Sequence, residues 1–68
     1  MILIKQQWSD TQKAWINEWQ SDDGSDITAN FDPTGAVGST IMVIADKTFY
    51  IKNSLGQWQR FGSTEVVV

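Results

Sequence analysis

Between Thr40 and Gly62 the chain reads TIMVIADKTFYIKNSLGQWQRFG, and its apolar side chains fall into strand-length runs separated by short polar breaks. Thr40–Ala45 and Thr48–Lys52 are rich in β-branched and aromatic residues, which suit a pleated backbone. Asp46 and Lys47 between them fit a two-residue hairpin loop. Asn53 suits the first position of a type I turn, and Gly56 the left-handed residue that ends it before Gln57–Phe61. The pattern predicts a three-stranded antiparallel meander over 40–62. Pairing Ala45 with Thr48 places Met42, Ile44, Phe49 and Ile51 on one face, because alternate side chains share a face. The other face carries Ile41, Val43, Ala45, Thr48, Tyr50 and Lys52, joined by Trp58 and Arg60 if a one-residue bulge sits at Gly56. Both faces are largely apolar. A sheet with one wet face shows polar residues there, so the pattern predicts cover on both sides. Trp58 beside Lys52, or Arg60 over Tyr50, would add a cation–π contact.

Upstream, Met1–Trp8 (MILIKQQW) has Ile2, Ile4 and Trp8 at even positions and predicts a strand. Ser9–Gln20 supports two readings. Ser9 and Gln12 fit a helix capping box, and Trp15, Ile16 and Trp19 would share a helical face, which describes a short helix over 10–20. Against this, Ile4-Lys5 leads through a polar turn to Trp15 much as Ile51-Lys52 leads through Asn53–Gly56 to Trp58. That echo favours a hairpin, with Ser9–Gln12 as the turn and Lys13–Trp19 as the returning strand. Trp15 and Trp19 then lie on one side, Ala14 and Ile16 on the other. Ser21–Ser39 is rich in Ser, Asp, Asn, Gly and Thr and predicts a loop, with a turn at Asp32-Pro33-Thr34-Gly35 and a short strand around Asp26–Phe31. Val66–Val68 is strand-forming and hazardous on a free edge, so a pairing partner is expected for it. The reading is a single small all-β domain over 1–68. It comprises an N-terminal hairpin (or strand and helix) at 1–20, a connection at 21–39, the meander at 40–62 and a terminal strand or arm at 63–68.

Composition narrows what such a domain can be. Sixty-eight residues give a small core, and small domains are commonly reinforced by disulfides, a structural metal or oligomerisation. The chain has no cysteine and no histidine, which removes disulfides and the common zinc sites. Oligomerisation remains, and four tryptophans suit a large shared interface. A net charge of −3 with five scattered basic residues argues against nucleic acid as a partner. No apolar run approaches the ~18 residues of a membrane helix, and Met1–Ile4 is too short for a signal peptide's apolar region. The expectation is a soluble product made without a secretion signal.

Candidate chemistry is sparse. Asp22, Asp23 and Asp26 around Gly24 could hold calcium, but the glutamate expected in register with an EF-hand loop is missing and a solvated loop is the simpler reading. Glu18 with Asp22 or Asp23 could be written as a glycosidase pair, yet so short a chain offers little cleft to drive two carboxyl pKa values apart. The serines have no histidine as base, and no glycine-rich loop leads to a phosphate-binding lysine. No enzyme activity, cofactor or metal is expected. Trp8, Trp15 and Trp19 fit a core or subunit interface first and a platform for sugar rings second.

The segment Gly38–Ile51, followed by Gly56-Gln57-Trp58, resembles small bacteriophage head-fibre and head-decoration proteins. In these a Gly-Ser start leads into an apolar strand, an Asp-containing turn, an aromatic strand and a closing tryptophan. The similarity covers roughly the carboxy-terminal third of the chain. It implies a virion component, made in the host cytoplasm and bound to the capsid exterior in several copies, most simply a trimer or dimer, with no catalytic residues. Its partners would be itself and capsid or other virion proteins, with neither nucleic acid nor membrane. The interface residues expected on this reading are Ile2, Ile4, Trp8, Trp15, Trp19, Tyr50, Trp58, Val66, Val67 and Val68. The terminal stretches Ile2–Ile4 and Val66–Val68 would either close the sheet or add a strand to a neighbour. The alternative is a small carbohydrate-binding or host-adsorption module using exposed tryptophans. A host-directed inhibitor docking through its acidic face is also compatible with the composition.

Overall fold

Ser9 decides the ambiguous segment locally. Its hydroxyl accepts the Gln12 backbone N–H at 3.3 Å, the bond expected of a helix cap, but the chain turns back instead of propagating. Lys13 adopts a positive φ of 55°, and the next residues return as a strand. In the computed structural model, which describes residues 1–27 and 34–67, the result is a hairpin of β1 (Ile2–Ser9) and β2 (Ala14–Ser21). It is paired from Ser9↔Ala14 to Ile2↔Gln20, with an irregularity between Leu3 and Lys5. The meander follows as β3 (Thr40–Val43), β4 (Thr48–Lys52) and β5 (Trp58–Arg60). The described residues are all-β, with five strands in one sheet in the order β1-β2-β3-β4-β5.

The meander's first hairpin is two residues out of the expected register. Val43, not Ala45, faces Thr48, and Ile44–Lys47 form the loop, closed by Lys47 at φ 54° with its N–H donating to the Ile44 carbonyl at 3.3 Å. The physical reason lies on the other side of β3. The Ile44 and Ala45 N–H groups donate to the Ser21 and Asp22 carbonyls, each at 3.0 Å, so these residues follow β2 and leave β4 early. An even shift preserves side-chain faces. The faces are therefore kept while the partners change: Met42 lies beside Phe49 instead of Ile51, and Ile41 beside Tyr50 instead of Lys52. The second turn matches its expectation: Gly56 has φ 77°, and the Asn53 side-chain oxygen accepts the N–H groups of Leu55 and Gln57, each at 3.0 Å. Trp58 then faces Lys52, and Arg60 faces Tyr50.

Hairpin and meander become one sheet because β2 and β3 pair in parallel, from Glu18↔Thr40 to Ser21↔Val43. Parallel neighbours need a crossover rather than a tight turn, and residues 22–39 supply it. The short strand expected around Asp26–Phe31 falls mostly outside the described residues; Asp26 and Ile27 themselves are not in a strand. Asp32 and Pro33 of the expected turn also lie outside them. Where the crossover returns it is tied to the hairpin by polar bonds. The Ala36 N–H donates to the Trp15 carbonyl at 2.8 Å. Gln12 grips Val37 from both ends, its amide donating to the Val37 carbonyl at 3.0 Å and its oxygen accepting the Val37 N–H at 2.8 Å. Asn17 donates its side-chain amide to the Thr34 carbonyl at 2.9 Å and its backbone N–H to the Ser39 hydroxyl at 3.0 Å.

The core lies on the face this crossover approaches. Ile41, Val43 and Trp58 are buried there, with Trp19, Ile27 and Tyr50 packed against Ile41 and Trp58. The Lys52 ammonium sits 5.6 Å from the centre of the Trp58 ring. Beyond β5 the chain folds back on itself. The Arg60 N–H donates to the Glu65 carbonyl at 2.9 Å, the Val67 N–H to the Trp58 carbonyl at 2.8 Å, and Gln59 bridges Val66. The opposite face of the meander was expected to be covered as well. Among the described residues it is open.

Candidate functional site

Of the ten residues singled out in the sequence, nine lie among the described residues, and they do not form one surface. Ile2 and Ile4 lie on β1, at the edge of the sheet, and both are exposed. Trp58 is 1% exposed and packs in the core with Tyr50 against it, so its ring is unavailable to a partner. Val66 and Val67 run beside β5, and Val68 lies outside the described residues. Trp8 and Trp15 pair across the hairpin and are 46% and 47% exposed. Trp19 is intermediate, its indole N–H donating to the Thr34 carbonyl at 2.9 Å.

Two surfaces result. The first is the open face of the meander. Side chains of Met42, Phe49 and Ile51 alternate onto it from β3 and β4, and Phe61, 67% exposed, continues it past β5. One shallow depression there is lined by Thr40, Phe49, Ile51 and Phe61, and a second by Met42, Val43, Ile44, Lys47 and Phe49. Sequence reasoning found the apolar alternation of this face but assumed a cover for it. Phe61, the last residue of the expected Gln57–Phe61 strand, carries no signal of its own for this face, since it lies one position past β5.

The second surface lies at the far end of the sheet, on the face that also holds the core. The Trp8 and Trp15 rings meet edge to face, with centres 5.3 Å apart and planes at 72°. The Trp8 indole N–H donates to the Asp10 carboxylate at 2.9 Å, which fixes that ring. Beside Trp15 is a groove of about 330 Å³, lined by Gln6, Ala14, Trp15 and Asn17 from the hairpin and by Thr34, Gly35 and Ala36 from the crossover. Its floor is a cross-strand amide pair, the Gln6 amide donating to the Asn17 side-chain oxygen at 3.0 Å. Gly35 makes the far wall fit, since a Cβ there would collide with the Ser39 side chain. Gln6, Asn17 and Thr34 carry no sequence signal of their own. They read as ordinary polar positions until β2 and the crossover are brought together.

The acidic loop behaves as a local turn. Asp23 accepts the Ser25 N–H at 2.9 Å, and this bond holds its carboxyl below the usual carboxylate range. Asp26 is lowered too, chiefly by its bond with the Met1 ammonium at 2.9 Å, with the Ser21 hydroxyl adding a donor at 3.2 Å. Among the described residues no three Asp, Glu, His or Cys side chains converge as a metal site would require. No protein-family model matches the chain, and neither a curated protein nor a solved structure matches it.

Proposed function

We propose that this chain is a non-enzymatic structural protein of a bacteriophage particle, a capsid decoration, cement or head-fibre component that binds the particle surface as an oligomer. The observation that carries the reading is the open apolar face of the meander, with Phe49 and Phe61 exposed beside Met42 and Ile51. An apolar surface of this kind is suited to a protein partner, and its residues Met42, Phe49 and Ile51 lie within the segment that resembles the head-fibre and head-decoration proteins. The β1 edge supports the same reading, because its outer backbone groups are positioned to take up a further strand. The short supply of reactive side chains is consistent with a role in assembly. The test is mass spectrometry of purified particles with a copy number per capsid. The chain is expected in a fixed stoichiometry, and Phe49→Ser with Phe61→Ser is expected to reduce its incorporation at least tenfold while the isolated domain stays folded. Recovery of the chain only as a free protein in the host would overturn the proposal.

A further inference from the structure

We propose that the groove beside Trp15 is a binding site for one ring of a neutral pyranose glycan. Four features of the groove lead to this ligand class. First, Trp15 offers a broad apolar surface at its rim, half exposed although its sheet face elsewhere buries Trp58 completely. The C–H face of a pyranose stacks on such a ring, and the indole loses little freedom in the process because Trp8 already braces it. Trp8 does not line the groove; it acts as a positioning residue.

Second, the floor carries amides. Gln6 uses one N–H on Asn17, which leaves its second N–H and its side-chain oxygen without a partner among the described residues. A primary amide presenting a donor and an acceptor side by side matches a pair of neighbouring sugar hydroxyls. Third, among the described residues no charged side chain lines the groove. An anionic or cationic ligand would lose hydration there without gaining a counter-charge, and the chain's net charge of −3 further disfavours an acidic glycan.

Fourth, the groove is formed before any ligand arrives. Its crossover wall is held to its hairpin wall by the Ala36-to-Trp15 and Asn17-to-Thr34 bonds, and Gln12 clamps Val37 next to it. Affinity for a small ligand benefits from walls that need no ordering on binding. A volume of about 330 Å³ lies at the small end of ligand sites and suits a single ring rather than a long chain.

The test is an array of neutral and acidic oligosaccharides probed with the intact chain, followed by titration of the best neutral glycan by calorimetry. Saturable binding of a neutral glycan is expected, weakened at least tenfold by Trp15→Ala and severalfold by Gln6→Ala. Phe61→Ser, on the opposite face, is expected to leave it within twofold. Amide NMR spectra establish that each variant is folded. If Trp15→Ala is not, Gln6→Ala carries the test, since its side chain lies on the exposed surface of β1. The proposal is overturned if the chain binds no neutral glycan, if it binds only acidic ones, if the Gln6 and Trp15 variants bind as the parent does, or if a peptide occupies the groove in place of sugar.

Discussion

The two faces of the meander are built from the same three strands and are similarly apolar, yet one is the core of the domain and the other is open. Ile41, Val43 and Trp58 are buried on the first; Phe49 and Phe61 stand exposed on the second. Hydrophobicity does not distinguish them. What does is the crossover, whose described returning part is tied to the core face by Asn17 and the Trp19 indole N–H on β2. Cover on this face is marked by hydrogen bonds to Thr34 as well as by the apolar contact of Ile27 with the core. A buried apolar face and an exposed one can be equally well encoded in the alternation of a strand, and the deciding residues can lie in a different element.

The strongest way to break this comparison is to truncate one aromatic on each face. Trp58→Ala is expected to cost about 3–5 kcal/mol, the range for emptying a large core site, and Phe61→Ala less than about 1 kcal/mol in the isolated chain. Denaturant unfolding at low protein concentration measures both, and equal losses would show that the open face is as closely packed as the core. A second substitution tests the anchoring of the cover. Gly35→Ala places a methyl group against Ser39 and is expected to destabilise by about 1–3 kcal/mol, as overpacking does. The Asn17 and Ser39 amide signals should shift most in NMR spectra, and shifts centred on Phe49 would refute the assignment.

Smaller changes sharpen the picture away from the cover. Lys47 holds a left-handed conformation, which costs a side-chain-bearing residue about 1–2 kcal/mol. Lys47→Gly removes that cost but gives the unfolded chain more freedom, so a net gain of up to about 1 kcal/mol is expected in thermal unfolding. A loss would mean that the Lys47 side chain packs on the open face. The smallest effect is expected from pH. Asp23 and Asp26 have carboxyl pKa values lowered in the folded state, so the unfolded chain binds protons first as the solution is acidified. Their contribution is present above about pH 4, the ordinary carboxylate value, and is lost as pH falls through the lower folded values. Asp23→Asn should flatten the acid limb of a stability–pH curve, and an unchanged limb would remove Asp23 from that account.

Much of this architecture was legible locally. The strand runs, the Asn53–Gly56 turn, the placing of Trp58 and Arg60 beside Lys52 and Tyr50, and the division of side chains between faces all follow from neighbouring residues. The hairpin at 9–20 was legible only as a preference, because Ser9 makes the same side-chain bond in a helix cap and in this turn. The β3–β4 register was not legible, since it depends on Ser21 and Asp22 competing for Ile44 and Ala45 across the sheet. Nor was the parallel β2–β3 junction, for which no short-range signal exists. The groove beside Trp15 was legible in its aromatic half alone. Its amides and its far wall meet Trp15 only through contacts between segments far apart in sequence.

The return of Glu65–Val67 along β5 has a consequence for how many neighbours this molecule can recruit. A sheet with two long bare margins propagates, each recruit offering the next a landing place. Here one margin is already taken up by the chain's own three residues, while the other presents the eight residues of β1. Among the described residues β1 is then the one full-length strand margin left open to addition. A second copy adding there across a two-fold axis would use both β1 margins and close as a pair, without open-ended polymerisation.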